Sequence, residues 1–179
     1  MLVSARQASA ILAGVGLSRG SALRVLDSGL AGEPIRTPSA LLYQRDRVQR
    51  LAASRCVAWD EAVALCPAGL FVARRDLRVG RPRSEQIASL AGGWGGLSPW
   101  SWIALHLQIV DYGSVPFIAT VAGYVALGAD IVATGPRSSL VLGEPGEWFE
   151  SVVGCRLPTG RGRPWVLHLG PLAPERIAR

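Results

Sequence analysis

Apolar side chains recur three and four residues apart along the first third of the chain. Ala8, Ile11 and Leu12 share one face, and Ser4 with Gln7 three residues on forms a capping box, so a helix is predicted to begin there. Ala13-Gly14-Val15-Gly16 breaks it. Ser18 opens a second helix ending at Gly29, with Ala22, Leu23 and Leu26 on one side and Val25 at its edge. Gly20, Ser21, Arg24 and Ser28 fall on the other side, and Arg19 in the first turn reaches outward. Two short apolar runs flank Thr37-Pro38-Ser39, which predicts a small hairpin. From Gln44 to Ala53 the helical pattern returns. Val48, Leu51 and Ala52 point inward, Arg45, Arg47 and Arg50 outward, and Asp46 stands at pairing distance from Arg50.

Beyond residue 54 the pattern is more mixed. Asp60 is expected to cap a short helix from Glu61 to Leu65, and Leu70 to Ala73 reads as a strand. Ser84 starts a helix through Ala91, and Gly92 to Gly96 reads as a flexible joint. Ser98-Pro99 starts another helix, with Pro at the first helical position. Its stripe of Ile103, Leu107 and Val110 is widened by Trp102, Ala104 and Leu105, so the helix is expected to lie deeply buried or in a subunit interface. After Tyr112-Gly113 the runs become short: Phe117 to Ala122, Tyr124 to Leu127, Ile131 to Thr134, Leu140 to Leu142, Trp148-Phe149, Val152-Val153, Arg156-Leu157 and Trp165 to Leu169. The expected fold class is α+β: a helical N-terminal unit, then an α+β module on a mainly antiparallel sheet. The expected boundaries are 1–55, a connector with a basic segment at 56–85, and an accessory or oligomerising domain at 86–179.

Charge sharpens this division. The chain has 179 residues, and all of its basic side chains are arginine. Residues 1–55 hold eight arginines against three acids, net +5, whereas residues 86–179 hold six of each. Residues 56–85 add five arginines against four acids, net +1, so all the net charge sits with the first unit and its neighbour, the footprint of phosphate contacts. Arg74, Arg75, Arg78, Arg81 and Arg83 form either a second such surface or a solvated loop. Three cysteines without a Cys-x-x-Cys argue against a disulfide framework and a zinc site. The uncharged run Gly113 to Ala129 is too short and too interrupted to span a membrane. With a capped helix directly at the N-terminus in place of a secretory signal, a cytoplasmic, nucleoid location is expected.

Catalytic signatures are absent from the sequence. His106 and His168 are the only histidines, each inside an apolar element, and no nucleophile elbow, His-Glu-x-x-His pair or carboxylate pair occurs. No enzyme activity, cofactor or metal is therefore expected.

Ser-Ala-Arg-Gln-Ala, Gly-Leu-Ser-Arg, Asp-Ser-Gly-Leu and Tyr-Gln-Arg-Asp-Arg-Val-Gln-Arg-Leu together resemble the MerR/excisionase-type winged helix-turn-helix. The resemblance covers the first third of the chain. It implies a recognition helix in the major groove of double-stranded DNA, with Arg19, Ser21 and Arg24 as contacts, and Arg36 on a wing. Arg6 and Arg45 complete the expected contact set in this unit; the plainer alternative is a helical bundle with a solvated basic face. Gly160-Arg161-Gly162-Arg163-Pro164 resembles the core of an AT-hook, which implies that Arg161 and Arg163 lie in a minor groove; the alternative is a glycine-rich hairpin tip. The function expected is a transcription regulator or nucleoid-type architectural protein, acting as a homo-oligomer. Its rival is an antitoxin-like autorepressor whose residues 86–179 hold a protein partner.

Overall fold

The Ser4 hydroxyl accepts from the Gln7 backbone N–H at 3.3 Å, and the Gln7 side chain accepts from the Ser4 N–H at 2.9 Å. This closed capping box starts α1 (Ala5–Ala13) in the computed structural model, which describes residues 1–158 and 164–171. After a turn through Gly14–Gly16, Ser18 caps α2 (Arg19–Asp27) by accepting from the Ser21 N–H. Gly29 follows at φ +83°, the left-handed conformation that lets the chain leave a helix at low cost. Three short strands complete this unit: β1 (Leu2–Ser4), β2 (Ile35–Arg36) and β3 (Leu41–Gln44), antiparallel in the order β1-β3-β2. The Thr37 hydroxyl ties the hairpin by donating to the Ala40 carbonyl and accepting from its N–H, both at 3.0 Å. α3 (Arg45–Ala52) runs on from β3. β1 was not foreseen, because three residues are too few for a periodicity to register.

The second sheet has five strands in the order β7-β6-β5-β4-β8: β4 (Gly69–Arg74), β5 (Val115–Val121), β6 (Tyr124–Gly135), β7 (Ser139–Gly143) and β8 (Trp165–Leu169). β4 and β5 are parallel, and the other three pairings are antiparallel. A parallel pair needs a crossover, supplied here by α5 (Arg83–Leu90) and α6 (Pro99–Tyr112). β4 and β5 are covered on both faces, which is why each reads as an unbroken apolar run. Phe71, Phe117 and Ile131 face a cluster with Trp94, Leu105 and Ile109; Leu70, Val72 and Ile118 face the other way, toward Val57, Ala62, Val152 and Leu157. Ala62 lies on α4 (Trp59–Ala64) and Val152 follows a 3-10 turn (Glu147–Ser151). Trp148-Phe149 therefore belongs to a turn and not a strand. The β5–β6 hairpin closes on two residues, Ala122 and Gly123, both at positive φ, the geometry that matches strand twist.

Several expectations shift. The segment 56–85 is no connector: it supplies β4, an interior strand, because Leu70-Phe71-Val72-Ala73 is apolar toward both faces. One buried cluster runs from Val3, Leu12, Val25 and Val48 to Phe71, Leu105 and Ile131, so the core does not break at residue 55. α2 packs on β5 as well as on α1, which turns its buried arc toward Val25. Val25 is fully buried while Leu23 is 38% exposed. Ser28, expected on the outer face, is buried, donating to the Val25 carbonyl at 2.7 Å. α4 and α5 begin without side-chain caps, after Ala58 and Pro82, in place of the expected Asp60 and Ser84.

The Gly92–Gly96 stretch is not a free joint either. Trp94 is 1% exposed, donates from its indole N–H to the Leu90 carbonyl at 2.9 Å, and meets Phe71 and Phe117 edge-on. In α6, Leu105, Gln108 and Ile109 face inward, while Trp100 is 79%, Ile103 51% and Val110 54% exposed. Ile103 and Val110, expected at the centre of the buried stripe, thus lie on its outer face. No helix among the described residues is long and apolar enough to cross a membrane.

Candidate nucleic-acid interface

α2 is held by Ala22, Val25 and Leu26, which leaves Arg19, Gly20, Leu23, Arg24 and Asp27 exposed on its outer arc. At about 100° per residue, Arg19 and Leu23 lie on the flank facing α1, and Ser21 and Arg24 on the opposite flank. Gly20 sits between them, and a Cβ added there would meet nothing within 4 Å. On the first flank, small side chains of α1 leave a groove of about 610 Å³ lined by Ala5, Ser9, Ala10 and Ala13, with Arg6, Arg19 and Leu23 around it. Arg6 and Arg19, thirteen positions apart in sequence, are thereby brought to one groove.

On the other flank a cleft of about 420 Å³ opens between α2 and the second sheet. Ser18, Ser21 and Arg24 line it from α2, and Arg74, Ala122, Gly123 and Arg156 from the sheet side. Arg156 donates to the Val15 carbonyl in the α1–α2 turn at 3.1 Å, and its guanidinium lies 5.2 Å from the centroid of the Tyr124 ring. Burial pushes the Tyr124 phenol up, with Arg156 opposing, so Tyr124 remains neutral beneath the guanidinium. Arg156 escaped the sequence reading, and Arg74 entered it only as one of the basic run at 74–83. Each stands within or beside a predicted strand, and nothing in the pattern marks the turn or strand end that aims it at α2.

Arg36 is exposed on β2 beside exposed Ile35, and Arg45 is exposed at the start of α3. Arg47 folds over Gly32. Among the described residues, salt bridges join Arg55 to Glu61, Arg81 to Glu85 and Arg83 to Glu144; Arg6, Arg19, Arg24, Arg36, Arg45, Arg47 and Arg50 form none. The Asp46–Arg50 pair foreseen at i,i+4 is not made, as expected for an exposed pair of little net worth. Burial, then the nearby Asp27 carboxylate, pushes the Tyr43 phenol up against the opposing Arg36.

The basic run at 74–83 behaves differently. The Arg75 guanidinium stacks on Trp94 at 4.3 Å and donates to the Gly93 carbonyl at 3.3 Å. Arg83 donates to the Gly128 carbonyl at 2.9 Å and pairs with Glu144 at 3.0 Å. These side chains hold the fold together and are not offered to a partner. Arg161 and Arg163 lie outside the described residues. Of their flanks, Pro158 lines the α2 cleft, and the Pro164 carbonyl accepts from the Arg74 N–H at 2.8 Å.

Among the described residues no three His, Cys, Asp or Glu side chains converge as a metal site requires. Burial and Asp130 push the Cys66 thiol up to about 12, away from the range of a nucleophilic thiolate. Comparison with protein-family models, curated proteins and solved structures finds no match to this chain.

Proposed function

We propose that this chain binds double-stranded DNA as a transcription regulator or nucleoid-type architectural protein, and acts by binding and not by catalysis. In this reading α1, α2 and the β2–β3 hairpin work as a winged helix-turn-helix of the MerR/excisionase type. α2 enters the major groove with Arg19, Ser21 and Arg24, Arg36 follows on the wing, and Arg6 and Arg45 meet the backbone. What carries the reading is the set of exposed arginines on α1, α2, the hairpin and α3 that form no ion pair among the described residues, with a glycine at the outer apex of α2. Arginine forks match guanine edges and phosphates, and a helix without a side chain at its apex approaches a groove closely. Arg161-Gly162-Arg163 adds a minor-groove contact in this proposal.

The test is duplex binding by anisotropy across a salt series. Arg24→Ala should weaken a preferred site by about 1–3 kcal/mol and random duplex much less. Binding that ignores salt, or an Arg24→Ala variant equal to wild type on every duplex, removes α2 from the interface.

The exposed stripe of Trp100, Ile103 and Val110 supports self-association through residues 86–179. It equally favours the second reading, an antitoxin-like autorepressor that holds a protein partner there. Trp100→Ser with Ile103→Ser should convert an oligomer to monomer in sedimentation. A wild-type chain that is monomeric at tens of micromolar directs the stripe to another protein.

A further inference from the structure

We propose that Arg156 is a positioning residue: reaching from the second sheet, it fixes the α1–α2 turn and thereby the direction in which α2 presents its outer face. The Arg156 backbone is tied on both sides. Just past the end of α3, its N–H donates to the Arg55 carbonyl at 2.7 Å and its carbonyl accepts from the Val57 N–H at 2.8 Å. On the other side it bridges Tyr124, the first residue of β6. There the Val125 N–H donates to the Cys155 carbonyl at 3.0 Å and the Leu157 N–H to the Gly123 carbonyl at 2.7 Å. From this anchored position the guanidinium lies over the Tyr124 ring and donates to the Val15 carbonyl, 141 positions away in sequence.

The receiving end is the reverse of anchored. Val15 stands between Gly14 and Gly16, the latter at φ +87°, so the turn has wide conformational freedom of its own. Ala22, Val25 and Leu26 hold α2 on the core, but apolar burial is non-directional and tolerates a small tilt. The nine residues of α2 span about 14 Å, so a tilt of about 5° at the turn moves the far end by about 1 Å. That is the difference between a made and a lost hydrogen bond. Stability is a poor reason for an arginine here. Its Nε and the Tyr124 hydroxyl beneath it are buried without a hydrogen-bond partner among the described residues, which costs free energy. Methionine would fill the space and pack on the Tyr124 ring without burying that donor. What methionine cannot do is bond Val15. The use of this clasp in DNA recognition rests on the DNA-binding proposal; the clasp itself does not.

The test compares Arg156→Met and Arg156→Lys with wild type in the full chain, by hydrogen exchange without DNA and by urea unfolding. The Val15 and Gly16 N–H groups, bonded to the Leu12 and Ala13 carbonyls, report on the turn. In Arg156→Met they should exchange about tenfold faster, while β4 and β5 exchange as in wild type and the unfolding midpoint is unchanged or higher. Arg156→Lys keeps a donor on a chain of similar reach and should recover part of that protection. In a second arm, Arg156→Met should weaken a preferred duplex at least about threefold and random duplex much less, with the salt slope unchanged because no phosphate contact is removed. A wild-type chain that binds no duplex sinks the DNA reading and leaves the exchange arm to decide on the clasp. The proposal is overturned if the turn is equally protected in wild type and Arg156→Met, or if Arg156→Lys exchanges there as fast as Arg156→Met. It is overturned too if Arg156→Met unfolds or loses protection throughout, since the residue then carries stability and not orientation. A salt slope lowered by about one counterion with the turn still protected would make Arg156 a phosphate contact instead.

Discussion

Seven arginines precede residue 55 and five lie between 74 and 83, and a charge count treats them alike. In the fold, two members of the second group part company with the first. The first group stands on helices and a hairpin whose apolar faces are already committed inward, so the guanidinium heads are left exposed, without ion pairs among the described residues. In the second group, Arg75 and Arg83 close over the core, one on the Trp94 ring and one on the Gly128 carbonyl. Arginine suits both tasks, since its flat head stacks on an aromatic and its five donors bond carbonyls or phosphates equally well. What separates these two from the first group is the surface beneath: Trp94 gives Arg75 a platform and the Gly128 carbonyl gives Arg83 an acceptor.

The sharpest way to break this contrast is to remove the platform. Trp94→Ala deletes a side chain that is 1% exposed and packs on Phe71 and Phe117, at an expected cost of about 3–5 kcal/mol in urea unfolding. DNA binding by the part that stays folded should keep its salt slope, because the first group does not touch this ring. A loss under about 1 kcal/mol would mean that the Gly92–Gly96 stretch is a joint after all.

A paired substitution tests the two groups directly. Arg83→Ala gives up a bond to the Gly128 carbonyl and a pair with Glu144, and should cost about 1–2 kcal/mol of stability while leaving the salt slope alone. Arg45→Ala should leave stability within about 0.5 kcal/mol and reduce the slope by about one counterion. If the two variants exchange these outcomes, the assignment of structural and binding arginines is inverted.

The helical unit was legible because its signals are local. Ser4-Gln7 and Ser18 announce their helices, and Thr37 the hairpin, within four residues of the bonds they make. Mistakes came where a distant element decides. Val25 is buried and Leu23 exposed because α2 has a second neighbour, β5, ninety residues away. Two arcs of α6 are apolar, so periodicity left open which faces the sheet; Ile103 and Val110 are outside because Leu105 and Ile109 fill the space under β5 and β6. The Arg6–Arg19 groove and the Arg24–Arg74–Arg156 cleft are likewise products of packing. A sequence supplies the arginines but not which flank of α2 each neighbour meets.

The smallest expected effect is the most discriminating. Gly20 lies in the first turn of α2, where alanine is better accommodated by about 0.5–1 kcal/mol in a helix and where the fold offers a Cβ open space. Nothing inside the molecule needs this glycine, since its φ is not in the left-handed region and no neighbour crowds it. Gly20→Ala should therefore raise the unfolding free energy slightly. If α2 is pressed into a groove, the same methyl group should meet a base edge or a phosphate and weaken binding, so stability and affinity move in opposite directions. A solvated helix predicts otherwise: stability rises and DNA binding does not change. Melting and anisotropy on this one variant thus separate an α2 that approaches nucleic acid closely from one that merely carries arginines into solvent.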